Sequence, residues 1–269
     1  MAKANVNGVN IDYDVCGKGE PLVLIQGLGG ARSGWIFQTR AFSKYYRVIT
    51  LDNRGVGKSD KPSQPYTVRT MADDIIALLD YLGVDKAHVL GASLGGMIAQ
   101  EMAINYPDRV RKLILACTAA GMGHTNDSVV RAMGLGHGSP EADITDPRNA
   151  DMGGVMGAVI ALSFNRRLFK VFLVPIAKIY LRFGEIQAIS GQAEAATAHS
   201  TLDRLHQIKA HTLVMVGTGD RLVPSQSSEL LANMIPDARL AKFNGGSHAF
   251  FMEMRGRFNR EVLDFLRGS

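Results

Sequence analysis

Short apolar runs, punctuated by glycine and proline, organise the chain up to Ala116. Pro21–Ile25 contains no polar residue, and Tyr46–Leu51, Ala87–Leu90 and Val110–Ala116 have the same strand-like character. Runs of this length and composition suit strands buried on both faces, as parallel strands usually are. Between them, Trp35–Ser43, Met71–Leu82 and Leu94–Asn105 carry apolar residues at helical spacing. The second stops at Gly83 and the third just before Pro107, both ordinary helix ends. Asn5–Val15, with Asn7-Gly8 inside it, predicts an N-terminal hairpin. The alternation resumes late in the chain with a strand at Thr212–Val216 and a helix at Ser225–Met234. A strand at Arg239–Phe243 and a helix at Phe258–Leu266 complete it. The pattern predicts an α/β domain: a mainly parallel sheet of eight strands with helices on both faces.

From about residue 121 to 202 the rhythm breaks. Loop sequence containing Gly, Met and His gives way to helical patterns that Pro175 interrupts. The expected organisation is a core domain formed by residues 1–120 and 203–269, split by a helical insertion at 121–202.

Composition narrows the function classes. Hydrophobic residues make up 46% of the chain and charged residues 20%, which suits a folded domain and argues against disorder. The net charge of +5 is mostly scattered, so nucleic-acid binding gains no support. One basic cluster, Arg166, Arg167, Lys170, Lys178 and Arg182, is read as a solvated face of the insertion rather than a membrane surface, because Pro175 divides it. No run reaches the ~20 apolar residues that span a bilayer. Met1–Asn5 lacks the apolar segment of a signal peptide. Cys16 and Cys117 match no metal or redox spacing and read as free thiols of a reducing compartment. A cytoplasmic protein without stable membrane insertion is expected, its oligomeric state open to a homo-oligomer.

The chemistry concentrates at three loops that each follow a strand. Gly91-Ala92-Ser93-Leu94-Gly95 fits the G-x-S-x-G pattern, in which a sharp strand-to-helix turn exposes a serine hydroxyl. Small residues two positions either side let strand and helix approach. The Leu94 N–H and the helix dipole then face any anion formed beside Ser93. A serine hydroxyl needs a base. Of seven histidines, His248 alone follows a strand directly, so it returns to the edge that carries Ser93. Asp220, in Gly217-Thr218-Gly219-Asp220, follows the preceding strand and is the candidate to orient the imidazole. Asp203 and Glu253 are its runners-up. The loop Gln26-Gly27-Leu28-Gly29-Gly30 offers a second oxyanion donor, the Leu28 N–H. Phosphate-binding readings fail, since Arg32 and Asp52 stand where the dinucleotide and P-loop patterns need glycine.

These motifs, with Asp52-Asn53-Arg54-Gly55-Val56-Gly57-Lys58-Ser59-Asp60 and Gly246-Ser247-His248, resemble the α/β-hydrolase fold superfamily. The likeness is to its esterase, enol-lactonase and C–C-hydrolase branches, and it covers nearly the whole chain outside the insertion. Relatives usually have His-Gly where this chain has Gln26-Gly27. The resemblance makes residues 121–202 a cap over the site, with Met122, Met133, Met152, Met156, Phe164, Leu168, Phe169, Phe172 and Ile176 available to wall an apolar pocket. It implies a serine hydrolase acting on a small to medium ester or lactone through an acyl-enzyme, with no cofactor and no metal. C–C hydrolysis of ring-fission diketones, cofactor-free perhydrolysis and a non-catalytic ligand receptor are the alternatives.

Overall fold

A computed structural model describes residues 2–121, 163–164 and 186–268. The insertion's remaining residues, including its basic cluster, His124, His137 and every proposed wall residue except Phe164, lie outside the described residues.

The eight strands are β1 (Ala2–Val6), β2 (Val9–Cys16), β3 (Pro21–Ile25), β4 (Arg47–Leu51), β5 (Ala87–Ala92), β6 (Val110–Ala116), β7 (His211–Gly217) and β8 (Ala238–Phe243). They form one sheet in the order β1-β2-β4-β3-β5-β6-β7-β8. β1 and β2 make the expected hairpin, β2 pairs antiparallel with β4, and every later pairing is parallel. β5, which leads to Ser93, therefore lies in the middle of the sheet.

Alternation along each strand explains the uninterrupted apolar runs. Val23, Ile25, Leu113, Leu115 and Val214 face one layer, with α2 (Val68–Tyr81), α3 (Leu94–Asn105) and α5 (Ser225–Met234). Leu22, Leu24, Ile114, Leu213 and Met215 face the other, with α1 (Ile36–Phe42) and α7 (Arg255–Arg267). Both faces are covered, so both sets must be apolar. The structure adds two features to the expected elements. Helix α2 begins before Met71, because the Thr67 and Thr70 side chains form a capping box. A short helix, α6 (Phe250–Glu253), precedes α7.

The chain leaves the core at Gly121 and returns beside it. Gly121 pairs with Ser200, and the Thr201 N–H donates to the Ala120 carbonyl at 2.8 Å. The returning helix α4 (Ile186–Thr197) is followed by a polar clamp on α3. Arg204 grips the Glu101 carboxylate at 2.6 and 3.1 Å, while His199 Nδ1 stands 3.6 Å from it. Burial pushes the His199 pKa down to about 4, against the pull of Glu101.

That depression has a definite sign. His199 stays neutral in the folded state, whereas the unfolded chain takes up its proton near pH 6.5. Stability from this group is complete above that pH and falls as pH drops toward 4. Between pH 7 and 4.5, His199→Gln should lose about 2 kcal/mol less stability than wild type. Urea titrations at the two pH values measure this, and equal losses would place the acid sensitivity elsewhere.

Candidate active site

Ser93 sits between β5 and α3 with φ 55° and ψ −123°, a conformation L-residues adopt only when their surroundings impose it. Its N–H still donates to the Ala116 carbonyl at 2.9 Å, continuing the β5–β6 pairing. Thr118 Oγ1 donates to the Ser93 carbonyl at 2.7 Å. The flanking glycines are required by contact. A Cβ on Gly91 would overlap the Gly95 carbonyl, and one on Gly95 would overlap the Ile25 carbonyl. Leu94 opens α3, so its N–H has no intrahelical acceptor and stands at the positive end of the helix.

The loop after β3 packs against this turn. A Cβ on Gly27 would come within 2.9 Å of Ser93 Cβ. The Gly30 N–H donates to the Gly27 carbonyl at 3.0 Å, closing a tight turn around Leu28 and Gly29. The buried Gln26 side chain lies inside the loop. Its Oε1 accepts from the Gly27 N–H at 3.3 Å, and Gly34 leaves space for its Nε2. Outside the loop, Gln192 Oε1 on α4 accepts the Gly29 N–H at 2.9 Å. Among the described residues, no hydrogen bond occupies the Leu28 or Leu94 N–H.

Asp220 and His248 come together from the loops after β7 and β8. His248 Nδ1 and Asp220 Oδ2 are 2.8 Å apart, and the carboxylate has no exposed surface. Asp220 Oδ1 accepts the Leu222 and Val223 N–H groups at 2.8 and 3.0 Å. The two loops are fastened to each other. The Gly219 N–H donates to the Gly246 carbonyl at 2.8 Å, and the Gly245 N–H donates to Thr218 Oγ1 at the same distance. A Cβ on Gly217 would overlap the Gly246 carbonyl. The buried Cys117 thiol feels the Asp220 carboxylate. Burial, then that charge, pushes its pKa far up.

The runners-up find other partners. Glu253 accepts the Ser247 hydroxyl at 2.6 Å, and Asp203 lies in the turn Leu202–Gln207 that precedes β7. His88, at the amino end of β5, pairs with Glu20, and His211 pairs with Asp237. The insertion also reaches the site. The Ser163 carbonyl accepts the Ala249 N–H at 2.8 Å, and Phe164 is buried with Phe250 and Phe258. Phe164, expected on a pocket wall, thus packs within this layer of the core.

Among the described residues, no group of three or more His, Cys, Asp or Glu side chains could hold a metal ion. No described helix is long and apolar enough to cross a membrane. Sequence reasoning missed Gln192. A lone glutamine in a helix carries no pattern, and its contact with Gly29 joins distant parts of the chain.

The mainly parallel sheet thus carries a strained serine after its central strand and an Asp–His pair on the same edge. The family model of the alpha/beta hydrolase fold matches residues 20–141. The chain is 32% identical to RutD of Azorhizobium caulinodans, named for carbamate hydrolysis, over 98% of each chain. It is 31% identical to a 2-hydroxy-6-oxo-6-phenylhexa-2,4-dienoate hydrolase of Comamonas testosteroni, over 99% of this chain and 94% of that one. The crystal structure of an enol-lactonase from Burkholderia xenovorans superposes with a TM-score of 0.87 at 26% identity, covering 99% of this chain and 100% of that one. The chain belongs to the α/β-hydrolase fold family, and it is a hydrolase.

The contacts at the serine turn make a stability prediction. Gly95→Ala should destabilise the fold by about 3 kcal/mol, because backbone must move to admit the methyl group. Gly83→Ala, at φ +63° with nothing within 4 Å, should cost only the ~1 kcal/mol of a left-handed residue. Urea denaturation compares them, and equal costs would contradict the steric account.

Proposed function

We propose that the chain is a serine hydrolase that cleaves a small to medium carboxylic ester or lactone through an acyl-enzyme. The observation that carries this reading is the 2.8 Å contact between His248 Nδ1 and the buried Asp220, on the sheet edge that bears the strained Ser93. A carboxylate at Nδ1 fixes the tautomer that leaves Nε2 free to accept a proton.

In the proposed reaction Ser93 Oγ attacks the carbonyl carbon while its proton passes to His248 Nε2. The carbonyl oxygen becomes an oxyanion held by the Leu28 and Leu94 N–H groups. Collapse expels the alcohol or enol oxygen, which takes the proton from His248. Water then enters, gives a proton to His248, and releases the acid by the same steps in reverse. Asp220 keeps its charge throughout and stabilises the imidazolium. The chemistry requires no cofactor.

The relatives' names support attack at a carbonyl carbon more firmly than any one leaving group. A lactone, a carbamate and an oxo-dienoate all contain such a carbon. The Comamonas relative specifically favours C–C hydrolysis as the second reading. We assign residues 121–202 as the cap, from the pairing of Gly121 with Ser200 and the contact of Ser163 with the His248 loop. The free thiols Cys16 and Cys117 fit a cytoplasmic setting.

A fluorophosphonate should label wild type at Ser93 and leave Ser93→Ala untouched. Folded wild type without an adduct would sink serine catalysis. Rates on p-nitrophenyl esters, enol-lactones and ring-fission diketones then rank the two readings. On the best substrate, Asp220→Asn should lower kcat by about 10⁴-fold through loss of the tautomer, and Glu253→Gln by less than about tenfold. The reverse ranking would make Glu253 the orienting acid.

A further inference from the structure

We infer that Gln192 is the positioning residue of the oxyanion loop, holding the Leu28–Gly29 peptide and through it the preceding Gly27–Leu28 peptide, whose N–H is aimed at the reacting carbonyl. This rests on the serine-hydrolase reading above and adds a residue from outside the three edge loops.

Gln192 has no exposed surface, although it belongs to α4, the helix by which the chain returns from the insertion. Its amide is used at both ends. Oε1 accepts the Gly29 N–H and Nε2 donates to the Arg54 carbonyl, each at 2.9 Å. Gly29 is held at φ +65°, so its peptide planes can be turned as the loop requires. The turn is closed on its inner side by the Gly30–Gly27 hydrogen bond and rests on Ser93 through Gly27. Gln192 supplies the hold on its outer side.

The anchor behind Gln192 is itself held on two sides. The Arg54 guanidinium makes a two-pronged ion pair with the buried Asp74, at 2.5 and 2.6 Å, and lies over the Tyr66 ring. Tyr66 packs beside Gly191, the neighbour of Gln192. A continuous line of contacts thus runs from Asp74 through Arg54 and Gln192 to Gly29. Only a group with a donor and an acceptor at the right reach can close it. Asparagine is one methylene short, and methionine has the length without the polar atoms.

Gln192→Met in the full chain tests this on a p-nitrophenyl ester and on an arylboronic acid, which forms a tetrahedral adduct with the serine. We expect kcat to fall about ten- to hundredfold, the scale of a sub-ångström to ångström misplacement. KM should stay within about threefold, because the ground-state carbonyl depends little on the oxyanion donors. Boronate affinity should fall in step with kcat.

Gln192→Glu is the companion. A buried carboxyl is protonated at low pH, where it can accept from Gly29 and donate to Arg54 as glutamine does. Its kcat relative to wild type should therefore fall as pH rises. If Gln192→Met does not fold, this pH-dependent ratio decides alone, and a flat ratio overturns the role. Folded Gln192→Met with kcat within twofold of wild type also overturns it, as does a loss confined to KM. Wild type that neither hydrolyses esters nor labels at Ser93 would instead overturn the serine-hydrolase reading itself.

Discussion

Backbone touches backbone around Ser93, and the rest of the site depends on that close approach. The serine turn is strained, and a strained turn persists only where its neighbours leave it no alternative. Gly91 lies against Gly95, Gly95 against the end of β3, and Gly27 against Ser93 itself. Side chains at these positions would wedge the strand, the helix and the β3 loop apart. Their absence lets the β3 loop and the start of α3 close on the serine turn. The same device recurs between the last two loops, where Gly217 lies against Gly246. Shape at the carboxyl edge is thus set by where Cβ atoms are missing.

Electrostatics then accounts for how a carboxylate is held there. The Asp220 side chain is wholly buried, and a buried charge persists only when its oxygens are hydrogen-bonded. Two backbone N–H groups hold Oδ1 and the imidazole meets Oδ2. Each bond to this carboxylate also restrains a loop, so satisfying the charge and orienting His248 are one event. Glu253 is buried as well, and it accepts the Ser247 hydroxyl, a contact that fixes the residue beside His248.

Much of this was legible in the sequence, and the reason is local. The central strands are buried on both faces and read as unbroken apolar runs, so β3 to β7 appear at nearly their observed positions, whereas β1, half exposed, starts three residues before the predicted hairpin. The G-x-S-x-G turn is legible because its constraint acts between residues two apart. Ser93, Asp220 and His248 could be brought to one edge because each follows a strand, and parallel strands share their carboxyl ends. Asp220 was preferred to Asp203 and Glu253 on its place after a strand, while its contact with His248 crosses two loops and is seen only in three dimensions. The early start of α2 was missed because its cap is a threonine pair outside the apolar pattern. Gln192 could not be found from sequence at all, since its value lies in joining Gly29 to Arg54.

That last contact changes how the insertion relates to the chemistry. A cap that merely covered a finished site would alter substrate binding and leave the donors alone. Here the helix leading back from the insertion is hydrogen-bonded to the β3 loop, two residues beyond Gly27 and its contact with Ser93. The insertion also touches the His248 loop through Ser163. A shift of α4 would therefore move the Gly29 peptide relative to a serine that the glycine contacts hold still. If the Leu28 N–H is the donor we propose, changes in α4 should therefore be felt in kcat as well as in KM.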